Sequence, residues 1–137
     1  MRDELGTLES FAFGDSPEMA DELLALVLAG TKTATCGPLR EYESEAAPLP
    51  RPGQRNVVLD GRGTPACVIE ITGVDCKRFD TVDAEFACAE GEGELSLFAW
   101  QEIHESFFRR HGGFSPDMIL VCERFRVIER LNGTARL

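Results

Sequence analysis

Residues 56–74 read Asn56-Val57-Val58-Leu59-Asp60-Gly61-Arg62-Gly63-Thr64-Pro65-Ala66-Cys67-Val68-Ile69-Glu70-Ile71-Thr72-Gly73-Val74. Two runs rich in Val and Ile flank an Asp-Gly step. β-Branched side chains suit an extended backbone because they crowd a helical turn. Glycine supplies the positive φ that a tight hairpin turn needs. The pattern predicts a β-hairpin, with strands at 56–60 and 65–74 and a turn at 61–63. A last strand is expected over 118–129, after Pro116. These strands form the centre of the fold, and helices are expected outside them.

The helices are legible at their ends. Ser16-Pro17-Glu18 has a capping hydroxyl, a proline at the first helical position and an acid in the first turn. Met19, Leu23, Leu26 and Val27 follow at helical spacing, and Gly30 is a natural stop, so a helix is expected over 17–29. Leu97, Trp100, His104, Phe107, Phe108 and His111 mark an amphipathic helix over 95–111, closed by Gly112-Gly113. Residues 31–36 are rich in Thr and read as extended, or as a turn into a strand. Residues 37–53 form a long connection with a short helix near 39–46, and Pro48, Pro50 and Pro52 forbid its regular continuation. A further short helix is expected at 82–89. The whole reads as α+β: a small mixed β-barrel with two or three peripheral helices, in one domain over 11–130. Residues 1–10 and 131–137 read as loosely attached termini.

The chain of 137 residues is 43% hydrophobic, ordinary for a globular protein and too apolar for disorder. Its longest apolar run, 23–29, is far short of a membrane span, and the charged start lacks a signal peptide's apolar core. A soluble, cytoplasmic protein without a membrane partner is expected. The net charge of −10 weighs against long nucleic acid, double-stranded DNA included, because that binding neutralises phosphates. Arg109, Arg110, Arg124, Arg126 and Arg130 could form a local basic patch, although such arginines more often balance nearby acids. The five cysteines, Cys36, Cys67, Cys76, Cys88 and Cys122, have no CxxC spacing, which argues against disulfides and structural zinc. Cys67, Cys88 and Cys122 are expected in the core.

Only two of the fourteen basic residues are lysine, Lys32 and Lys77. Lysine can lose its proton near neutral pH when buried, which arginine cannot. Lys32 stands in Gly30-Thr31-Lys32-Thr33-Ala34-Thr35, three residues before the Thr35 hydroxyl. A neutral lysine can take a proton from a hydroxyl, which can then attack an acyl carbon. Residues three apart point to opposite faces of a strand, so joint action requires a turn or bulge within 32–35. The bland alternative makes Thr33 and Thr35 ordinary strand residues. Glu90-Gly91-Glu92-Gly93-Glu94 crowds three carboxylates, and the flanking glycines let Glu92 approach a ligand closely. His104 and His111 share a helical face without an HExxH pattern and read as packed side chains. Trp100, Phe107 and Phe108 read as core. Tyr42 could stack on a base or anchor a loop. Walker, GxGxxG and GxSxG patterns are absent.

Taken together, these segments resemble the ASCH-domain family, small proteins with a PUA-like β-barrel. The resemblance covers about residues 11–130. It rests on Phe13-Gly14-Asp15-Ser16-Pro17-Glu18, on the 30–35 segment, on Val58-Leu59-Asp60-Gly61, and on Phe86-Ala87 with Glu90-Gly91-Glu92-Gly93. Trp100, His104, Phe107-Phe108 and Leu120-Val121-Cys122-Glu123-Arg124-Phe125-Arg126 extend it. The family's broad signature is GxKxxExR. Here Thr35 stands at the Glu position and Gly37 at the Arg position. A branch with GxKTxT matches better, and it includes an amidohydrolase that deacetylates N4-acetylcytidine. That resemblance implies Lys32, Thr35 and Glu92 as catalytic residues. The branch's Arg two residues after the Thr is absent, and Arg40 is the nearest substitute. Candidate substrate-binding residues are Arg40, Tyr42, Glu90 and Ser96. Another branch is linked to RNA cleavage. The leading expectation is a hydrolase of a modified pyrimidine nucleoside. An RNA-binding or RNA-cleaving domain, and a regulatory module that binds a small ligand or RNA, are the alternatives. No metal or other cofactor is expected.

Overall fold

The computed structural model describes residues 8–91 and 96–131. The expected hairpin is its centre. Strand β3 (Arg55–Leu59) pairs antiparallel with β4 (Pro65–Arg78), and β4 pairs antiparallel with β5 (Ile119–Arg130). At the turn, Asp60 Oδ1 accepts from the Arg62 and Thr64 amides at 2.8 and 3.0 Å. This is how a short acid side chain replaces backbone bonds in a tight loop. Strand β4 runs four residues past the expected end. Its tail, Asp75-Cys76-Lys77-Arg78, pairs with Ile119–Cys122. Nothing in that polar tail announces a strand; the partner holds it extended.

Two further strands complete the sheet, in the order β1-β3-β4-β5-β2. Strand β2 (Ala34–Pro38) lies antiparallel on β5, and β1 (Glu9–Phe11) lies parallel to β3. Strand β1 thus begins inside the stretch read as a loose terminus. Register shifts at Val68/Ile69 and Ile71/Gly73 bend β4 against β5. Such irregularities increase local twist, and the sheet curls into a half-barrel.

Four α-helices are described: α1 (Pro17–Leu28), α2 (Leu39–Ser44), α3 (Ala84–Glu90) and α4 (Leu97–Arg110). Ser16, Asp83 and Ser96 cap α1, α3 and α4 by accepting from the third amide beyond each. Helix α1 buries Ala20, Leu23, Leu24 and Val27, a single stripe at helical spacing. This stripe packs on Val58, Cys67, Ile69, Ile71 and Phe125. A second core gathers Ala34, Phe79, Val82, Phe86, Trp100, Phe108 and Leu120 between β2, α3 and α4. Cys67 and Cys122 are buried as expected, whereas Cys88 is exposed. Position 88 falls on the outer face of α3, between the buried Ala87 and Glu90. Among the described residues, no helix is long and apolar enough to cross a membrane.

Helix α3 ends on Gly91 at φ +70°, and a Cβ there would collide with the Thr31 carbonyl oxygen. Gly63 has a similar φ of +80° but opens onto free space. Gly91→Ala is therefore expected to destabilise the protein by about 1–3 kcal/mol from backbone strain, plus the cost of moving the 31–32 segment. Gly63→Ala is expected to lose about 1 kcal/mol. Urea unfolding of both variants checks the difference, and equal losses would refute the close approach.

Candidate active site

Lys32 lies in an irregular segment between α1 and β2. Gly30, at φ +82°, ends the helix, and the Thr31 and Lys32 amides both donate back to the Leu26 carbonyl. The next amide, Thr33, donates to Ala89 O at 2.7 Å, and Thr33 O accepts from Phe125 at 3.0 Å. The segment is thereby stitched between α3 and β5. Regular strand begins at Ala34, and Lys32 and Thr33 precede it.

From there the Lys32 side chain enters the interior and is 1% exposed. Its Nζ donates to Ala34 O at 2.9 Å, Glu90 Oε1 at 3.0 Å and Glu90 O at 3.3 Å. Carbonyl and carboxylate oxygens are the acceptors that the N–H bonds of an ammonium need. Glu90, the last residue of α3, is also 1% exposed. Its Oε2 accepts from Trp100 Nε1 at 3.1 Å and faces His104 Nε2 at 3.5 Å. The Cys36 thiol completes the ring around this carboxylate. Burial alone would raise the Glu90 pKa. The Lys32 charge opposes it, with help from His104 and Cys36, and holds the carboxyl well below its usual range. Burial and the neighbouring carboxylate push the Cys36 thiol well above its usual pKa.

His104 stacks on Trp100 with centroids 4.4 Å apart and rings 22° from parallel. Its Nδ1 lies 2.9 Å from the Trp100 carbonyl oxygen, which can only accept, so Nδ1 carries a proton. A cavity of about 130 Å³ opens beside this cluster. Phe13, Met19, Ile103 and Phe107 form apolar walls, and Thr35, Cys36, Glu41, Glu90 and His104 add polar groups. A broader cleft of about 600 Å³ adjoins it, sharing Thr35, Gly37 and Glu41.

The other expected site residues are dispersed. Successive residues of β2 alternate faces, so Cys36 turns to Glu90 while Thr35 lies opposite Glu123. Thr35 lines both the cavity and the cleft. Tyr42 lines the cleft, its hydroxyl 3.4 Å from Glu123 Oε2. Arg40 is turned away: its Nη2 donates to His111 O and Gly113 O, strapping α2 to the end of α4. Ser96 caps α4. Glu92 and Glu94 lie outside the described residues. Sequence reasoning missed Cys36 and Trp100 as site residues, and saw His104 only as packed. The one available signal was the i, i+4 spacing of Trp100 and His104 on the buried face of α4. The arginines considered as a basic patch have acidic partners: Glu105, Asp15, Glu85 and Glu70 for Arg109, Arg110, Arg124 and Arg126. Arg130 donates to the Leu28 carbonyl. That is a charge-balanced surface.

The ASCH domain family model matches residues 9–129. The chain belongs to the ASCH-domain family. It is 35% identical to an ASCH domain from Lactobacillus crispatus JV V101, with a TM-score of 0.84, covering 89% of this chain and 80% of that one. It is 38% identical to a protein from Enterococcus faecalis V583, with a TM-score of 0.86, covering 94% and 81%. The ASCH protein from Zymomonas mobilis shares the fold at 12% identity and a TM-score of 0.53, covering 92% and 72%. No curated protein matches. Within this ASCH domain, the second core places Trp100 and His104 of α4 against Glu90 at the end of α3.

Breaking the Lys32–Glu90 pair from one side should be severe. Glu90→Gln takes a buried counter-charge from beside the ammonium, and a loss of about 3–5 kcal/mol is expected in urea unfolding. Lys32→Met with Glu90→Leu removes both charges and should recover most of that loss. Because the folded pKa of Glu90 is depressed, its stabilisation is present above its unfolded value, about 4.3, and is lost as pH falls toward the folded value. Glu90→Gln should therefore flatten the acid limb of the stability curve. An unchanged limb would refute the pairing.

Proposed function

We propose that this ASCH domain is a hydrolase of a modified pyrimidine nucleoside, one bearing an N4-acetylcytidine-like amide. The observation that carries the proposal is a buried Lys32–Glu90 pair beside a cavity sized for one flat ring. A volume of about 130 Å³ is well below the roughly 300–1,000 Å³ of pockets for drug-sized ligands. Aromatic and apolar walls with a few polar groups suit a base that stacks on its faces and hydrogen-bonds at its edge. The adjoining cleft, lined by Tyr42, Gln54, Asn56 and Glu123, offers polar partners for a ribose. Thr35 stands at the junction, where an exocyclic acyl group would project.

In this reading the Thr35 hydroxyl, on the cavity wall, attacks the acyl carbon and its proton passes to Lys32 through an intervening water. Lys32 must first release a proton, and Glu90 Oε1, at 3.0 Å, is the adjacent acceptor; the transfer removes the Lys32 charge that holds the Glu90 carboxyl down, and burial then favours the neutral pair. The pair then becomes neutral amine and neutral acid, with no change in net charge. The C–N bond breaks, the pyrimidine amine leaves with a proton, and an acyl-threonine ester remains. Water, activated by Glu92, hydrolyses the ester to a carboxylate and restores Thr35. General acid–base catalysis of this kind contributes roughly 10²–10⁴-fold. The paired arginines and the net charge of −10 favour a free nucleoside over polymeric RNA.

Incubation with N4-acetylcytidine should release cytidine, detected by chromatography. Thr35→Ala and Lys32→Arg should each lower turnover by about 100-fold or more. Lys32→Arg keeps the charge and removes the base. Absence of cytidine with wild-type protein, or full turnover in both variants, would refute the assignment. Cleavage of single-stranded RNA instead would move it to the ribonuclease reading.

A further inference from the structure

We propose that Cys36, Glu90 and His104 form a binding site for a borderline-soft divalent metal ion of the zinc class at the floor of the cavity. The three come from β2, α3 and α4, and one ligand atom from each lies within 4.8 Å of the others. Thiolate, imidazole and carboxylate are the donor types that zinc takes, and three protein ligands with one open position are its catalytic arrangement. All three residues line the cavity, so a fourth ligand could enter from it.

The geometry around each donor is that of a supported metal ligand. A ligating histidine usually gives its other ring N–H to a carbonyl or carboxylate, which fixes the tautomer and the ring plane. His104 does this through Nδ1 and the Trp100 carbonyl at 2.9 Å, with its ring stacked on the indole. Nε2 is thereby aimed at Glu90 Oε2, 3.5 Å away. Zn–N and Zn–O bonds near 2.1 Å give a tetrahedral edge of about 3.4 Å, so this edge already has the required length. A ligating carboxylate is itself held by hydrogen bonds. Lys32 holds Oε1 and Trp100 Nε1 donates to Oε2, whose remaining lone pair, turned toward His104 Nε2, would pass to the ion when that nitrogen becomes a ligand. Glu90 would thus bind through one oxygen, while Lys32 stays in place. On binding, the ion forms bonds to Cys36 Sγ, Glu90 Oε2 and His104 Nε2, and it displaces the thiol proton and the Nε2 proton, which leave to solvent.

Cobalt(II), added alone to the full chain under reducing conditions, is the probe, because thiolate ligation gives a near-ultraviolet charge-transfer band. One equivalent should bind with that band. Cys36→Ser should abolish the band, and His104→Gln should weaken binding by about 100-fold or more, beyond the usual effect of an outer-shell change. Cys88→Ser alters an exposed thiol elsewhere and should leave both unchanged. Far-ultraviolet circular dichroism confirms that each variant folds, and Cys36→Ala replaces Cys36→Ser if that one does not. No band with wild-type protein, a band that survives loss of the Cys36 thiol, or a band lost in Cys88→Ser overturns the site. The readout requires no turnover, so it is independent of whether the protein deacetylates a nucleoside.

Discussion

A single buried carboxylate organises this domain. Glu90 takes hydrogen bonds from Lys32 and Trp100 and faces His104 and Cys36, all away from water. A lone charge in such a place would be prohibitive, and a pair is tolerated only when its remaining lone pairs and protons find partners. That requirement reaches outward. Lys32 must leave the strand path, so α1 stops at Gly30 and the 31–33 segment is pinned to α3 and β5. Helix α3 must end at Glu90, and Gly91 supplies the left-handed turn there. Helix α4 must present Trp100 and His104 on one face.

This arrangement separates stability from chemistry less than most cores do. The second core surrounds the pair with Phe79, Phe86, Trp100 and Phe108. Its apolar walls keep water from competing for the carboxylate and strengthen each polar contact inside. The same walls continue into the cavity through Phe107, Phe108 and His104. A group that holds the fold together therefore also sets the electrostatics seen by anything entering the cavity. Buried ionisable pairs in clefts are candidate functional sites on that ground, although they also occur as purely structural links.

Much of the architecture was legible in the chain, for reasons that can be named. The Val/Ile runs with an Asp-Gly turn marked the hairpin. Ser16-Pro17-Glu18 and Gly30 marked both ends of α1, and the aromatic spacing marked α4. Each of these signals is local, arising from backbone preference or from the period of one element. The tail of β4 and the short β1 carried no such signal, because pairing with β5 and β3 holds them extended. Lys32 was legible through composition, in a chain that otherwise favours arginine. The direction of Arg40 was not legible, because sequence distance from the motif says nothing about it; its guanidinium ties α2 to the carbonyls of His111 and Gly113 after α4.

By itself, the sequence determined the class of fold, its principal hairpin and helices, and the oddness of one lysine. Tertiary structure alone decided what that lysine meets. Glu90 is 58 residues away, and no periodicity encodes a distance between elements. Cys36 and His104 join the same carboxylate for the same reason: β2, α3 and α4 converge on it only when the second core closes. Strand alternation then turns Cys36 toward Glu90 and Thr35 toward Glu123. The period of a strand foretells that the two must part, but only packing on either side says which face meets the charge.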